Sequence, residues 1–125
     1  MTRSLIHLGF IALSASLWGC NSPNDVVCTE IAVPAINVLV RDSVSGSFGS
    51  NGATATAVDG SYTDTNTFPD ASQPELPISL AYEREGTYVV TVSKSGYRNW
   101  VTSGVRVTRD VCHVRTVTLT ARLQH

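Results

Sequence analysis

One stretch of twelve residues constrains this chain more than any other: Gly86-Thr87-Tyr88-Val89-Val90-Thr91-Val92-Ser93-Lys94-Ser95-Gly96-Tyr97. It opens on a turn glycine, alternates Tyr88, Val90 and Val92 with a period of two, and closes on Lys-Ser-Gly, a second turn signal. Apolar residues at every other position between turn residues specify a strand with one buried face, not a helix. A lone strand buries nothing, so the rest of the chain must supply neighbours for it.

The remaining segments carry the same signature. Residues 26–33 predict a first short strand, stopped by Pro34. Residues 35–42 direct Ile36, Val38 and Val40 inward and Asn37 and Arg41 outward. A turn at 42–46 and a Gly/Ser loop at 47–52 lead into a strand over 53–58. Asp59-Gly60 is a hairpin turn, and 61–65 is the returning strand. Residues 66–77 contain Pro69, Pro74 and Pro77 and cannot be a central strand. A short strand at 78–82, the turn 83–86, strands at 97–102 and 105–108, and a last strand from about 111 to 123 complete the series. In that last strand Val117, Leu119, Ala121 and Leu123 share a face. Beyond the first 19 residues no segment has helical periodicity. Charged residues are 15% of the chain, well below the roughly 25% of an average domain, and Val, Thr and Ser fill the difference. Short strands at regular spacing with Gly turns between them predict a β-sandwich.

The N-terminus reads as an address. Met1-Thr2-Arg3-Ser4 is a short positive region, 5–16 is apolar, and Leu17-Trp18-Gly19-Cys20 follows. The apolar run is too short to span a bilayer and reads as a helical signal peptide. The last four residues resemble a bacterial lipobox. That resemblance implies removal of residues 1–19 and a diacylglyceryl thioether plus an N-acyl chain on Cys20, a near-permanent anchor since each buried CH₂ contributes about 0.8 kcal/mol. Residues 20–26 would then be a polar tether holding the domain, 27–123, close to the membrane of the cell envelope. With Asn21 rather than aspartate next, the outer membrane is the expected destination where the host has one.

Three cysteines are an odd number for an exported chain. Lipid on Cys20 leaves Cys28 and Cys112 as a pair in an oxidising compartment, which predicts a disulfide from the entry of the first strand to the entry of the last. The rival, a metal site using Cys112 and His113, lacks zinc-ligand spacing, and no metal or cofactor is expected.

Net charge is −1 and becomes more negative without Arg3, with no basic block, so a nucleic-acid partner is not expected. Gly46, Gly49 and Gly52 precede a strand rather than a helix N-terminus and do not form a phosphate cradle. Asp59 and Asp64 lack the remaining calcium-loop ligands. Glu83 and Glu85 read as solvated turn carboxylates. His113 has no Gly-x-Ser-x-Gly elbow to serve, and His125, in the last position, is expected to be disordered. Trp100, Tyr97 and Tyr62 remain as candidate contacts for a carbohydrate or protein partner.

Val40-Arg41-Asp42 before a Ser-Gly turn, Gly52-Ala53-Thr54 opening a strand, Gly86-x-Tyr88-x-Val90-x-Val92 and then Gly96-Tyr97 together resemble the carboxypeptidase regulatory-like domain. The resemblance covers residues 27–123. It implies an all-β, seven-stranded antiparallel Greek-key β-sandwich of the prealbumin-like (transthyretin) type, without catalytic residues of its own. The expected function is a non-enzymatic, lipid-anchored envelope module for protein interaction or structural support. A small carbohydrate- or peptidoglycan-binding domain is the alternative. A transthyretin-related hydrolase is a more distant one, requiring His113, Arg115 and a carboxylate to cluster, and the C-terminal Tyr-Arg-Gly-Ser of those enzymes is missing from Ala121-Arg122-Leu123-Gln124-His125.

Overall fold

The computed structural model describes residues 25–69 and 73–125. The leader 1–19, the lipidation site Cys20, tether residues 21–24 and positions 70–72 of the proline-rich crossover lie outside the described residues.

Seven strands form two sheets: β1 (Ile36–Asp42), β2 (Thr54–Asp59), β3 (Tyr62–Thr67), β4 (Ile78–Leu80), β5 (Gly86–Ser93), β6 (Trp100–Val107) and β7 (Val117–Leu123). One sheet has the order β4-β1-β7 and the other β3-β2-β5-β6. The described residues contain no helix. The inward alternation read from sequence becomes the core between the sheets. Ile36, Val38 and Val40 meet Ala55 and Ala57, Tyr88, Val90 and Val92, with Ile78, Leu80, Ala121 and Leu123 closing the layer. The small β2 side chains leave room for the Tyr88 ring, the largest fully buried side chain. On the outer face of the four-stranded sheet, hydroxyls pair across strands, Thr54 with Thr67 at 2.9 Å and Thr56 with Thr65 at 3.1 Å.

Four expectations need correction. The sandwich is not wholly antiparallel, because β1 and β7 run parallel in register from Ile36↔Val117 to Asp42↔Leu123. Parallel neighbours need a long connection, and here the five intervening strands supply it, so no local signal marks the pairing. Residues 26–33 form no strand. Both edges of β1 are already taken, by β4 and β7, leaving that run an arm whose Val27 is 91% exposed. The segments 97–102 and 105–108 merge in one strand, β6, across a bulge that sets Ser103 and Gly104 opposite Val89, with Gly104 at φ 67°. The last strand starts at Val117, not near 111. Asp110 Oδ1 accepts the Cys112 and His113 amides at 2.8 and 2.9 Å, and that side-chain turn holds residues 109–116 as a loop.

The predicted disulfide is present between Cys28 and Cys112, with Cα atoms 5.3 Å apart and a sequence separation of 84. It joins the arm to the 109–116 loop rather than one strand to another.

Candidate functional site

The strand directions give the sandwich two chemically different ends, separated by the length of β1, about 20 Å. The arm, the disulfide, the 83–86 turn and the Asp59-Gly60 hairpin share one end. The far ends of β1, β5 and β7 and the start of β6 make the other.

At the arm end, Glu83 is not the solvated carboxylate expected from sequence. Its Oε1 accepts the Val33 amide at 2.7 Å and faces His113 Nδ1 at 2.7 Å. Arg109 Nη2 stands 3.7 Å from Oε2, an oxygen that is buried without a hydrogen bond. The Val33 amide, more than His113, holds the Glu83 carboxyl below its ordinary value against the opposing effect of burial. The other ring nitrogen of His113, Nε2, lies 3.0 Å from the Thr29 hydroxyl, so one imidazole bridges the arm and Glu83. Ala81 and Glu83 both adopt left-handed φ, 54° and 53°, which is costly for residues with a Cβ. Asp64 Oδ2 accepting the Ala81 amide and Val33 O accepting the Glu83 amide hold them there. The Thr29–His113–Glu83 distances resemble a nucleophile–base–orienter relay. Its arginine is Arg109, whereas Arg115 makes only a backbone bond to Thr108 O here. On this geometry the cluster clasps the arm to the sandwich beside the disulfide.

Tyr62 also lies at the arm end. Its ring packs edge-on against Tyr88 at 6.3 Å and carries the Arg84 guanidinium at 4.0 Å. Arg84 Nη1 donates to Asp59 Oδ2 and to Tyr88 Oη, whose hydroxyl returns a bond to Arg84 O. The face of Tyr62 is occupied within the fold, and it shares no patch with Trp100 and Tyr97.

Those two aromatics lie at the far end, in separate clefts. Asp42, at the end of β1, accepts the Val44 and Ser45 amides on Oδ1, each at 2.8 Å, and the Tyr97 hydroxyl and His125 Nε2 on Oδ2, each at 3.0 Å. The two amides, Ser45 first, then the Tyr97 hydroxyl, hold the Asp42 carboxyl far below the usual carboxylate range. The same contact pushes the Tyr97 phenol up. His125 is placed rather than disordered, its ring 4.2 Å from that of Tyr97. Arg41 stacks on Phe48 at 3.8 Å and donates to Gly46 O, and Lys94 donates to Gly49 O. A cleft of about 150 Å³ lies among Arg41, Asp42, Phe48, Lys94 and Tyr97.

Around the corner, where β6 faces β7, a wider groove of about 250 Å³ is lined by Arg98, Asn99, Trp100, Val101, Arg122 and Gln124. Trp100 is half-buried, packed partly on the core, and Arg98 and Arg122 are exposed. The bond from Arg98 N to Gln124 O, 2.7 Å, joins the two sides of this groove.

Sequence reasoning found Trp100 and Tyr97 but missed Arg122, Gln124 and Lys94. The only trace was the outward position of Arg122 on an alternating strand. Among the described residues, no group of three or more His, Cys, Asp or Glu side chains could hold a metal ion. No protein-family model, curated protein or solved structure matches the chain.

Proposed function

We propose that this protein is an exported, non-enzymatic binding module that stands on an envelope membrane by lipid on Cys20 and offers the opposite end of its sandwich to a partner. The observation that carries this reading is polarity of the fold: the arm and its disulfide lie at one end, and Trp100 and Tyr97 with the clefts they line lie at the other, while the open groove at the arm end, among Glu85, Gly86, Thr87, Arg106, Val107 and Thr108, holds no aromatic side chain. Cys28, the staple, follows Cys20 by eight positions, so the tether reaches at most about 28 Å. The carboxypeptidase regulatory-like identity and Greek-key prealbumin topology belong to this proposal, supported by the Gly-x-Tyr-x-Val and Gly-Tyr motifs and by seven strands in two sheets.

The test combines anchor and orientation. Intact-mass analysis of the membrane-extracted protein should show an acylated N-terminus at Cys20, and C20S should move the protein out of the membrane fraction. A photo-crosslinking residue at Val101 should capture envelope material, while one at Ser61 should not. An unmodified Cys20, or equal capture at both positions, would overturn the reading.

Binding of a carbohydrate, in place of a protein, is favoured by one specific feature. Trp100 sits in a groove with the amide side chains of Asn99 and Gln124, the combination of a flat apolar face and paired donors and acceptors that sugars engage.

A further inference from the structure

We infer that the β6/β7 groove is a site for an acidic saccharide, the sugar ring lying against Trp100 and its carboxylate held by Arg98 and Arg122. This deepens the carbohydrate reading above and rests on it.

Charge distribution is the first argument. The chain is net acidic, yet the six residues that line this groove include two arginines and no carboxylate. Asp42, an acid at the same end of the sandwich, is committed to four internal hydrogen bonds. Among the described residues, Arg98 and Arg122 take part in none of the ion pairs, which involve Arg84, Arg109, His113 and His125.

The second argument is placement. Arg122 lies beside Arg41 in the parallel ladder, and like charges on neighbouring strands oppose folding. Arg41 is occupied with Phe48 and Gly46 O, which leaves Arg122 as the guanidinium without an internal role. A bound anion relieves that repulsion. Guanidinium forks match a carboxylate bidentately, and such bonds are roughly twice as strong as neutral ones.

The third argument is what lies between the charges. A bare anion needs no aromatic wall, whereas a pyranose ring has an apolar face to set on Trp100 and hydroxyls for Asn99 and Gln124. The groove volume, about 250 Å³, is of the size that one or two sugar rings occupy partly, with the remainder of a chain running over the rim.

Isothermal titration of the full chain in detergent, against three probes, tests the assignment. An oligogalacturonate hexamer should bind, with affinity falling as salt rises. Maltohexaose, which has the rings without the charge, and inorganic polyphosphate, which has the charge without the rings, should each bind at least about tenfold more weakly. The R98Q/R122Q double variant changes only exposed side chains and, with the Arg41–Arg122 repulsion removed, should melt no lower than the wild type. It should weaken hexuronate binding roughly ten- to a hundredfold, as expected for one or two charge-assisted bonds. Maltohexaose binding as tightly as the hexuronate overturns the acidic specificity but leaves the carbohydrate reading intact. Polyphosphate binding as tightly overturns the role of the sugar ring. Full hexuronate affinity in R98Q/R122Q overturns the site, and no binding of any probe overturns the inference. Capture of a protein at Val101 in the crosslinking experiment, together with no saccharide binding, separates loss of this inference from loss of the binding-module reading.

Discussion

Arg41 on β1 and Arg122 on β7 are register partners in the parallel ladder, so two guanidinium side chains leave the same face of the three-stranded sheet side by side. Neighbouring strands lie about 4.8 Å apart. A like-charge pair at that spacing opposes folding by about 0.2–1 kcal/mol. R122E should therefore raise the urea midpoint by a corresponding amount while removing one cation from the groove. An unchanged or lower midpoint would show that solvent already screens the pair.

The disulfide between Cys28 and Cys112 closes a loop of 84 residues in sequence. The chain-entropy model assigns such a closure roughly 4–5 kcal/mol, through restriction of the unfolded chain. C28S/C112S should lower stability toward that extent, read as the shift in chemical denaturation with m unchanged. Hydrogen exchange should rise first at Val33 and Glu83, whose amides tie the arm to the 83–86 turn.

Asp42 sets an acid-side dependence. Its carboxyl titrates far below the usual range in the folded protein, chiefly because the Ser45 and Val44 amides bond its charged form. A depressed folded pKa adds stability that is fully present above the unfolded value, near 4, and is lost as pH falls toward the folded one. Stability of the parent should decline as pH is lowered below about 4, with D42N showing a shallower slope over the same window in urea titrations. Glu83 and Asp110 are depressed too, so some slope remains in the variant. Identical slopes would remove Asp42 from the account.

Two turn glycines should respond differently to alanine. At Gly86, φ 156°, an added Cβ would collide with the Asp59 carboxylate and stand 3.0 Å from Arg84 Nη1, breaking into the Asp59–Arg84 pair. At Gly60, φ 57°, nothing lies within 4 Å, so only backbone strain opposes the change. G60A should cost about 1–2 kcal/mol and G86A about 1–3 kcal/mol more from forced rearrangement. G60N should recover most of the first loss, since asparagine tolerates left-handed φ. Denaturation midpoints of the three variants measure this directly.

Legibility of the fold followed the range of the forces involved. Alternation of Tyr88, Val90 and Val92 is local, because successive strand side chains point to opposite faces, and it assigned the buried face correctly. Asp59-Gly60 located its hairpin for the same reason: two residues suffice to set the turn. The arm at 26–33 had the composition of a strand, but β1, its neighbour in sequence, is already flanked by β4 and β7, and the arm is held instead by Cys28–Cys112 and the Val33–Glu83 bonds. Ser103-Gly104 looked like a break, and pairing with β5 absorbed it as a bulge.

The candidate site divides along the same line. Trp100 and Tyr97 announced themselves by residue type, whereas Tyr62, equally aromatic, is spent on Tyr88 and Arg84 at the opposite end. Nothing in the local sequence around Arg122 or Gln124 indicates that they would stand beside Arg98 and Trp100, or that Thr29 would reach His113.

The sequence by itself determined which side chains of the central strands face inward and where the Asp59-Gly60 hairpin falls, because each depends on neighbours a few residues apart, and it offered Cys28 and Cys112 as the pair once Cys20 was set aside. Tertiary structure alone decided that β1 and β7 run parallel, that the arm stays outside both sheets, and that two arginines flank a tryptophan in an acid-free groove. Those outcomes depend on which strand edges remain available after the sheets assemble, and edge availability is a property of the whole domain rather than of any segment.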